Sequence, residues 1–246
     1  MRIPIVLFLT VGFCNFNWAS QVETMSVHID VQDKASLQRG ARFYMNYCSG
    51  CHALKYMRYD DMAKGLGLTT FSGEIDSDVL IENLLFTQAR VYDPIQISMP
   101  IEGAKQWFGI VPPDLSLIAR SRGPNWVYTF LKSYYEDAIR PFHSNNLLFP
   151  DVGMPDVLYP LRGEVHRLSD TSSAYRLVTV KPGSMTAEEF DQALQDLINF
   201  LVYVGEPGRE ERRWLGVGVL LFLGVAFLLL NSLRKLYWTK KTHKVF

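Results

Sequence analysis

The chain has 246 residues, 48% of them apolar and 13% aromatic, enough for one packed core and one membrane segment. Its formal charge is zero, yet every Asp and Glu lies between residues 21 and 213, where 19 Lys and Arg face 25 acids, a local balance of about −6. An acidic domain joined to a basic tail excludes nucleic acid as a partner and favours a basic one.

Behind Arg2, residues 3–14 form a short apolar run followed by Asn17-Trp18-Ala19-Ser20, the pattern of a secretory signal cleaved near Ala19 or Ser20. The run is too short to span a bilayer comfortably. Phe13 is too bulky for Cys14 to be a lipidation site. Cleavage removes Cys14 and leaves no cysteine for a disulfide.

Residues 21–32 read as extended. A helix follows, capped by Asp33 or Ser36, with Leu37, Ala41, Tyr44, Cys48 and Cys51 on one face. It closes on Cys48-Ser49-Gly50-Cys51-His52. Two cysteines three apart with histidine next are the attachment signature of a c-type haem. Positions i and i+3 share a helix face, so both thiols can reach the vinyl groups of one porphyrin. His52 then offers its imidazole to the iron as proximal ligand. A redox Cys-x-x-Cys opens a helix, whereas this pair ends one. A structural zinc site needs four ligands, and no second cysteine pair exists. One motif implies one covalent haem c.

Lys55-Tyr56-Met57-Arg58-Tyr59 is aromatic and basic, and Gly65-Leu66-Gly67 breaks the chain. Asp76 or Ser77 caps a helix carrying Val79, Leu80, Leu84 and Leu85 to about Ala89. Residues 93–113 hold four prolines and read as loop, containing Met99-Pro100 and leading into Pro112-Pro113-Asp114-Leu115-Ser116. Pro124 suits the first turn of a helix with Trp126, Val127, Phe130, Leu131 and Tyr134 on its apolar side. Residues 141–160 return to loop, with Val152-Gly153-Met154-Pro155 inside it; residues 162–182 alternate weakly, as in a short hairpin. Thr186 and Glu189 form a capping box for a helix striped with Phe190, Leu194, Leu197, Leu201 and Val204, which Gly205 and Pro207 end.

Residues 214–233 are uncharged and long enough to cross a bilayer as a helix. Trp214, Tyr237 and Trp238 suit the interfacial belts. Arg234, Lys235, Lys240, Lys241 and Lys244 hold the tail in the cytoplasm, so residues 21–213 face the other side. A run so uniformly apolar is not a core helix.

A second protein ligand would make this haem an electron carrier, and a methionine thioether there raises the potential. Met45, Met57 and Met62 lie too close to the attachment motif to reach the opposite face, and Met185 begins the last helix. Met99 and Met154 both sit in loops before a proline, and spacing leaves both open. His143 and His166 are further candidates, though a lone histidine is more often a surface or core residue.

Four features taken in order resemble the cytochrome c1 family of bacterial type, the haem subunit of ubiquinol–cytochrome c oxidoreductase. They are the haem motif, Pro112-Pro113-Asp114-Leu115-Ser116, the Gly153-Met154 loop, and one C-terminal anchor after Glu206-Pro207, together spanning roughly residues 34–238. The Pro-Pro-Asp-Leu-Ser run discriminates far better than the haem motif. The resemblance implies a mainly α, class I cytochrome c-like haem domain with long loops and one C-terminal transmembrane helix. It divides the chain into a signal peptide (1–20), a periplasmic cytochrome domain (21–213), a membrane helix (214–233) and a cytoplasmic tail (234–246). It assigns Met154 as sixth ligand and pairs Arg120 with a haem propionate. Trp126 stands where the family often has tyrosine, and the stretch between the haem motif and Pro112 is shorter than in mitochondrial members.

The function so implied is electron transfer, from the Rieske iron–sulfur protein through one haem c to a soluble or membrane-tethered c-type cytochrome, beside cytochrome b, in the cytoplasmic membrane and its lipid. Alternatives are another membrane-anchored monohaem cytochrome, such as a terminal-oxidase subunit, and a haem peroxidase or thiol oxidoreductase.

Overall fold

A computed structural model describes residues 23–97, 99–169 and 175–242; the signal-peptide assignment for residues 1–20 lies outside them. In chain order, α1 (Lys34–Tyr47) is followed by β1 (Leu54–Arg58), α2 (Tyr59–Leu66), α3 (Ser77–Leu84), β2 (Pro94–Ile95) and α4 (Ile101–Phe108). Then come α5 (Ile118–Ser121), α6 (Pro124–Lys132), β3 (Tyr134–Glu136), β4 (Ser144–Asn146), α7 (Tyr159–Arg162), β5 (Gly163–Ser169), β6 (Tyr175–Pro182), α8 (Ala187–Gly205) and α9 (Arg209–Thr242). Among the described residues the fold is mainly α, with three small antiparallel two-stranded sheets.

The centre is the crossing of α1 and α8. Asp33 caps α1 by accepting from Ser36 N at 3.0 Å. Thr186 and Glu189 cap α8 with both halves of a capping box. Every apolar residue of the α8 stripe is buried: Phe190, Leu194, Leu197, Leu201 and Val204. Gly40 permits the crossing, since a Cβ there would fall 2.0 Å from the Asp196 carbonyl oxygen. Asp196 is buried but fully engaged, accepting from Ser36 Oγ at 2.7 Å and from Arg39 Nε at 2.6 Å. A buried carboxylate so satisfied locks the register of two helices that apolar contact alone would let slide.

The segment before α1 is extended, as its composition suggests, and it straps two helices together. Met25 N donates to Thr129 Oγ1 and Asp30 N to Asn199 Oδ1. Several elements depart from the sequence reading: α3 ends at Leu84 rather than near Ala89, and Tyr134, expected on the helix after Pro124, stands in β3. Residues 59–66 form α2, with Tyr59, Met62, Ala63 and Leu66 buried at helical spacing. Residues 101–108 form α4 inside the supposed proline loop; Gly109, at φ 72°, ends it in the left-handed region.

Of the expected hairpin, the described segments 163–169 and 175–182 do pair antiparallel, as β5 and β6, from Gly163↔Pro182 to Ser169↔Tyr175. Its inner strand lies beside β3, where His166 Nε2 is 2.8 Å from Glu136 Oε2 and 2.9 Å from Glu164 Oε1. Hydrogen bonds first to Glu164 and then to Glu136 raise the His166 pKa above its ordinary value. The protonated imidazole is therefore favoured by folding. Its contribution is complete below the unfolded value of about 6.5 and fades as pH rises through the raised folded value. His166→Asn should lower the melting temperature more at about pH 5.5 than at about pH 9; an equal loss at both would show that charge does not hold the hairpin there.

The last helix, α9, projects from the domain. Its most apolar window has mean hydropathy 2.3, and none of that window is buried in the chain. Leu220, Phe222 and Phe227 are exposed, in one continuous apolar surface. A helix of that length and character fits a single-pass membrane anchor. It begins at Arg209, five residues before the apolar run, because Glu210 and Glu211 suit the positive N-terminal end of its dipole.

Candidate functional site

The helix α1 delivers the haem motif. The Tyr44 carbonyl accepts from Cys48 N at 2.8 Å and Ser49 N at 3.0 Å, and the next turn closes with His52 N on the Cys48 carbonyl at 2.9 Å. The chain thus coils once more past the helix end and carries both thiols and the imidazole to one wall of a cleft. Tyr44, buried in the core, donates its hydroxyl to the His52 carbonyl and fixes the end of the turn.

The Pro-Pro-Asp-Leu-Ser run is the other half of the site. The Pro113 carbonyl lies 2.8 Å from His52 Nδ1. A carbonyl can only accept, so Nδ1 carries the proton and Nε2 is left as the free lone pair. His52 is 8% exposed. Burial, the largest influence, lowers its pKa against the opposing pull of the Pro113 carbonyl and Asp114, which favours the neutral, ligating imidazole. The run is itself clamped. Asp114 accepts from Lys55 N and Ser116 N, both at 2.9 Å. Leu115 N donates to the Ala53 carbonyl at 2.9 Å, and Ser116 Oγ accepts from Tyr56 N at 3.1 Å. The prolines stiffen a backbone whose purpose is to hold one carbonyl against one imidazole.

The cleft has a volume of about 370 Å³. Its walls are apolar and aromatic, among them Phe108, Val127, Phe130 and Leu201, and Arg122 is the one Lys, Arg, Asp or Glu among the lining residues. Burial, then Cys51, pushes the Cys48 thiol up to about 12, and burial raises Cys51 as well. Thiols held in that state are not the lowered-pKa nucleophiles of a redox motif. Two thiols and a neutral imidazole on one wall, a thioether on another, greasy sides and one cation match the donor set and shape of a covalently attached macrocycle with acidic side arms.

Met154 lines this cleft, half-buried, together with Gly153 and Val152. Met99, also half-buried, is not on its wall, and neither are His143 and His166. Arg120 is exposed, lies with its Cγ against Gly205, and is not among the residues that line the cleft. Arg122 is the arginine on the wall, its guanidinium 5.1 Å from the Trp126 ring centre. The physical reason is helical phase within α5: Ile118 and its C-cap Arg122 lie one turn apart and both line the cleft, as do Trp126 and Phe130 one turn apart in α6. Arg120 sits two residues off, about 200° around a helix. The spacing of four was present in the sequence. Sequence reasoning missed Arg122 outright, and it missed Phe108 because it assigned residues 93–113 to loop.

The comparisons with known proteins follow the same lines. The Cytochrome C1 family profile matches residues 24–241. The chain belongs to the cytochrome c1 family. It is 47% identical over 220 residues to cytochrome c1 of Allochromatium vinosum, covering 87% of each chain. It is 38% identical over 238 residues to the ammonia monooxygenase gamma subunit of Nitrosomonas europaea, covering 97% of each. Rhodospirillum rubrum cytochrome c1 is 28% identical over 86% of this chain and 84% of its own. Family membership makes this a c-type haem protein of respiratory electron transport, with haem held covalently at Cys48 and Cys51. The bacterial character expected from the sequence agrees with its similarity to the Allochromatium protein.

Proposed function

We propose that this chain passes electrons from a Rieske iron–sulfur protein, through one haem c, to a c-type cytochrome, as a subunit of a quinol–cytochrome c oxidoreductase that also contains cytochrome b. The observation that carries this reading is the pairing of His52, its Nδ1 committed to Pro113, with Met154 on the same cleft. When bound, haem supplies the one-electron couple, and the chain performs no acid–base or nucleophilic step. His52 and Met154 would hold the iron, and the apolar walls would keep water from the group, which favours the less charged reduced state. Arg122, rather than Arg120, faces a propionate.

The Nitrosomonas relative is named as a monooxygenase subunit. If His52 and Met154 both hold the iron, the protein would leave no place on it for oxygen, which favours the carrier role here. In the proposed topology residues 21–213 lie in the periplasm, α9 crosses the cytoplasmic membrane and the lysines and arginines after residue 233 stay inside. Purification from membranes through the C-terminal tail tests the assembly: haem stain should stay with this chain on a denaturing gel, and a cytochrome b and an iron–sulfur protein should accompany it. Recovery of the chain alone from mildly solubilised membranes would contradict the assembly.

The charge of about −6 between residues 21 and 213 sets a further expectation. Complementary charge raises encounter rates, and the effect fades as the screening length shrinks from about 30 Å at 0.01 M salt to about 8 Å at 0.15 M. Stopped-flow reduction of a basic soluble cytochrome by the prereduced complex should slow steeply along that series, whereas electron arrival from the co-assembled Rieske protein should hardly change. A flat profile for the acceptor would rule out electrostatic steering.

A further inference from the structure

The loop that carries Met154 is built on side chains that the haem motif does not explain. The antiparallel pair of β3 and β4 aligns Tyr134 with Asn146, Tyr135 with Asn145 and Glu136 with Ser144. All three residues of β4 are polar and buried; Asn146 is 0% exposed. Buried amides are costly unless satisfied; Asn145 Nδ2 donates to Asp137 Oδ2 at 3.0 Å, while both amide oxygens accept from backbone leading to Met154.

Asn146 Oδ1 accepts from Leu148 N at 2.9 Å and Phe149 N at 3.1 Å, while its Nδ2 donates to the Phe130 carbonyl at 2.7 Å. Asn145 Oδ1 accepts from Asp151 N at 2.9 Å. Asp151 stands at φ 62°, in the left-handed region where a non-glycine residue needs support. Beyond the methionine, Ser144 Oγ accepts from Asp156 N at 3.2 Å. The Tyr134 hydroxyl, from the facing strand, donates to the carbonyl of Met154 itself at 3.3 Å. The loop is therefore pinned before, at and after Met154 by one buried polar patch, and Phe130, Phe149 and Val152 tie that patch to the cleft wall.

We propose that Asn145, Asn146 and Tyr134 are positioning residues that hold the Met154 thioether at the iron. The inference rests on Met154 being the sixth ligand. A thioether is a weak, neutral donor, so its occupancy depends on how little the loop must be ordered when the bond forms. Restricting the loop in advance raises the effective concentration of the sulfur at the metal; releasing it lets an outside ligand compete. No direct contact between these side chains and the haem is required.

The test is competition by imidazole, read in the purified oxidised complex as loss of the sulfur–iron charge-transfer band. Asn146→Ala should bind imidazole at least tenfold more tightly than the unmodified protein and have a lower reduction potential. Tyr134→Phe removes one hydroxyl without opening the core and should shift both in the same direction by a smaller factor, about two- to threefold. It keeps the proposal testable if Asn146→Ala does not accumulate. Met154→Leu separates the two levels of inference. If it keeps the band, Met154 is not the ligand and the underlying reading fails. If it loses the band while Tyr134→Phe and any recoverable Asn146→Ala lower the melting temperature but leave imidazole affinity and potential unchanged, the patch is merely structural and the proposal is overturned.

Discussion

Replacing Met154 by leucine is expected to abolish the sulfur–iron charge-transfer band and to lower the reduction potential by a sizeable fraction of the roughly 0.8 V that axial ligation commands. Leucine conserves volume and apolar character, so the cleft should stay packed and haem should remain attached at Cys48 and Cys51. What disappears is the thioether, whose preference for reduced iron would hold the potential high under the proposed ligation. A lower potential makes the step from the Rieske protein uphill, and quinol-driven turnover should fall with it. Met99→Leu should leave spectrum and potential nearly intact, since Met99 is not on the cleft wall. Band loss in the Met99 variant with retention in the Met154 variant would reverse the ligand assignment.

Substituting both Cys48 and Cys51 by serine is expected to remove all covalent haem and most of the protein. The cleft shares residues with the central packing, including Val127, Leu197 and Leu201. Leaving about 370 Å³ unfilled there, at about 24 cal/mol per Å³, amounts to roughly 9 kcal/mol as an upper bound for a cleft that opens to solvent. That is comparable to the whole stability of a typical domain, about 5–15 kcal/mol. Immunoblots of membranes should therefore show the chain strongly depleted, with no haem stain in what remains. Cys51→Ser alone keeps one attachment point and should retain stain at reduced abundance. Normal abundance of the double variant would show that haem is not part of the fold's core.

The parts of this fold that sequence made legible are those in which one local rule decides. The Asp33 cap, the Thr186–Glu189 box and the α8 stripe each follow from residues within one or two turns, and all three are in place. The haem motif was legible for the same reason. Helix α4 was hidden because Pro100, which reads as a loop residue, instead immediately precedes Ile101, where proline is compatible with helix initiation. Helix α2 was obscured by Gly65, whose presence has a tertiary cause: a Cβ there would collide with the Tyr203 hydroxyl. Arg120 and Arg122 could be distinguished only once the phase of Ile118 and Trp126 on the cleft was known. Pro113 is 61 positions from His52, and the chain between them had to fold before its carbonyl met the imidazole. Spacing alone could not separate Met154 from Met99. That distinction depends on where the β3–β4 pair sets down the following loop.

Quinol-driven reduction of this haem is the most direct test. In the membrane complex purified through this chain, added quinol should reduce the haem within a single turnover, and removal of the Rieske protein should stop that reduction while leaving the haem reducible by dithionite. A haem that dithionite reduces but quinol does not, in a preparation containing cytochrome b and the Rieske protein, would contradict its place in the electron path.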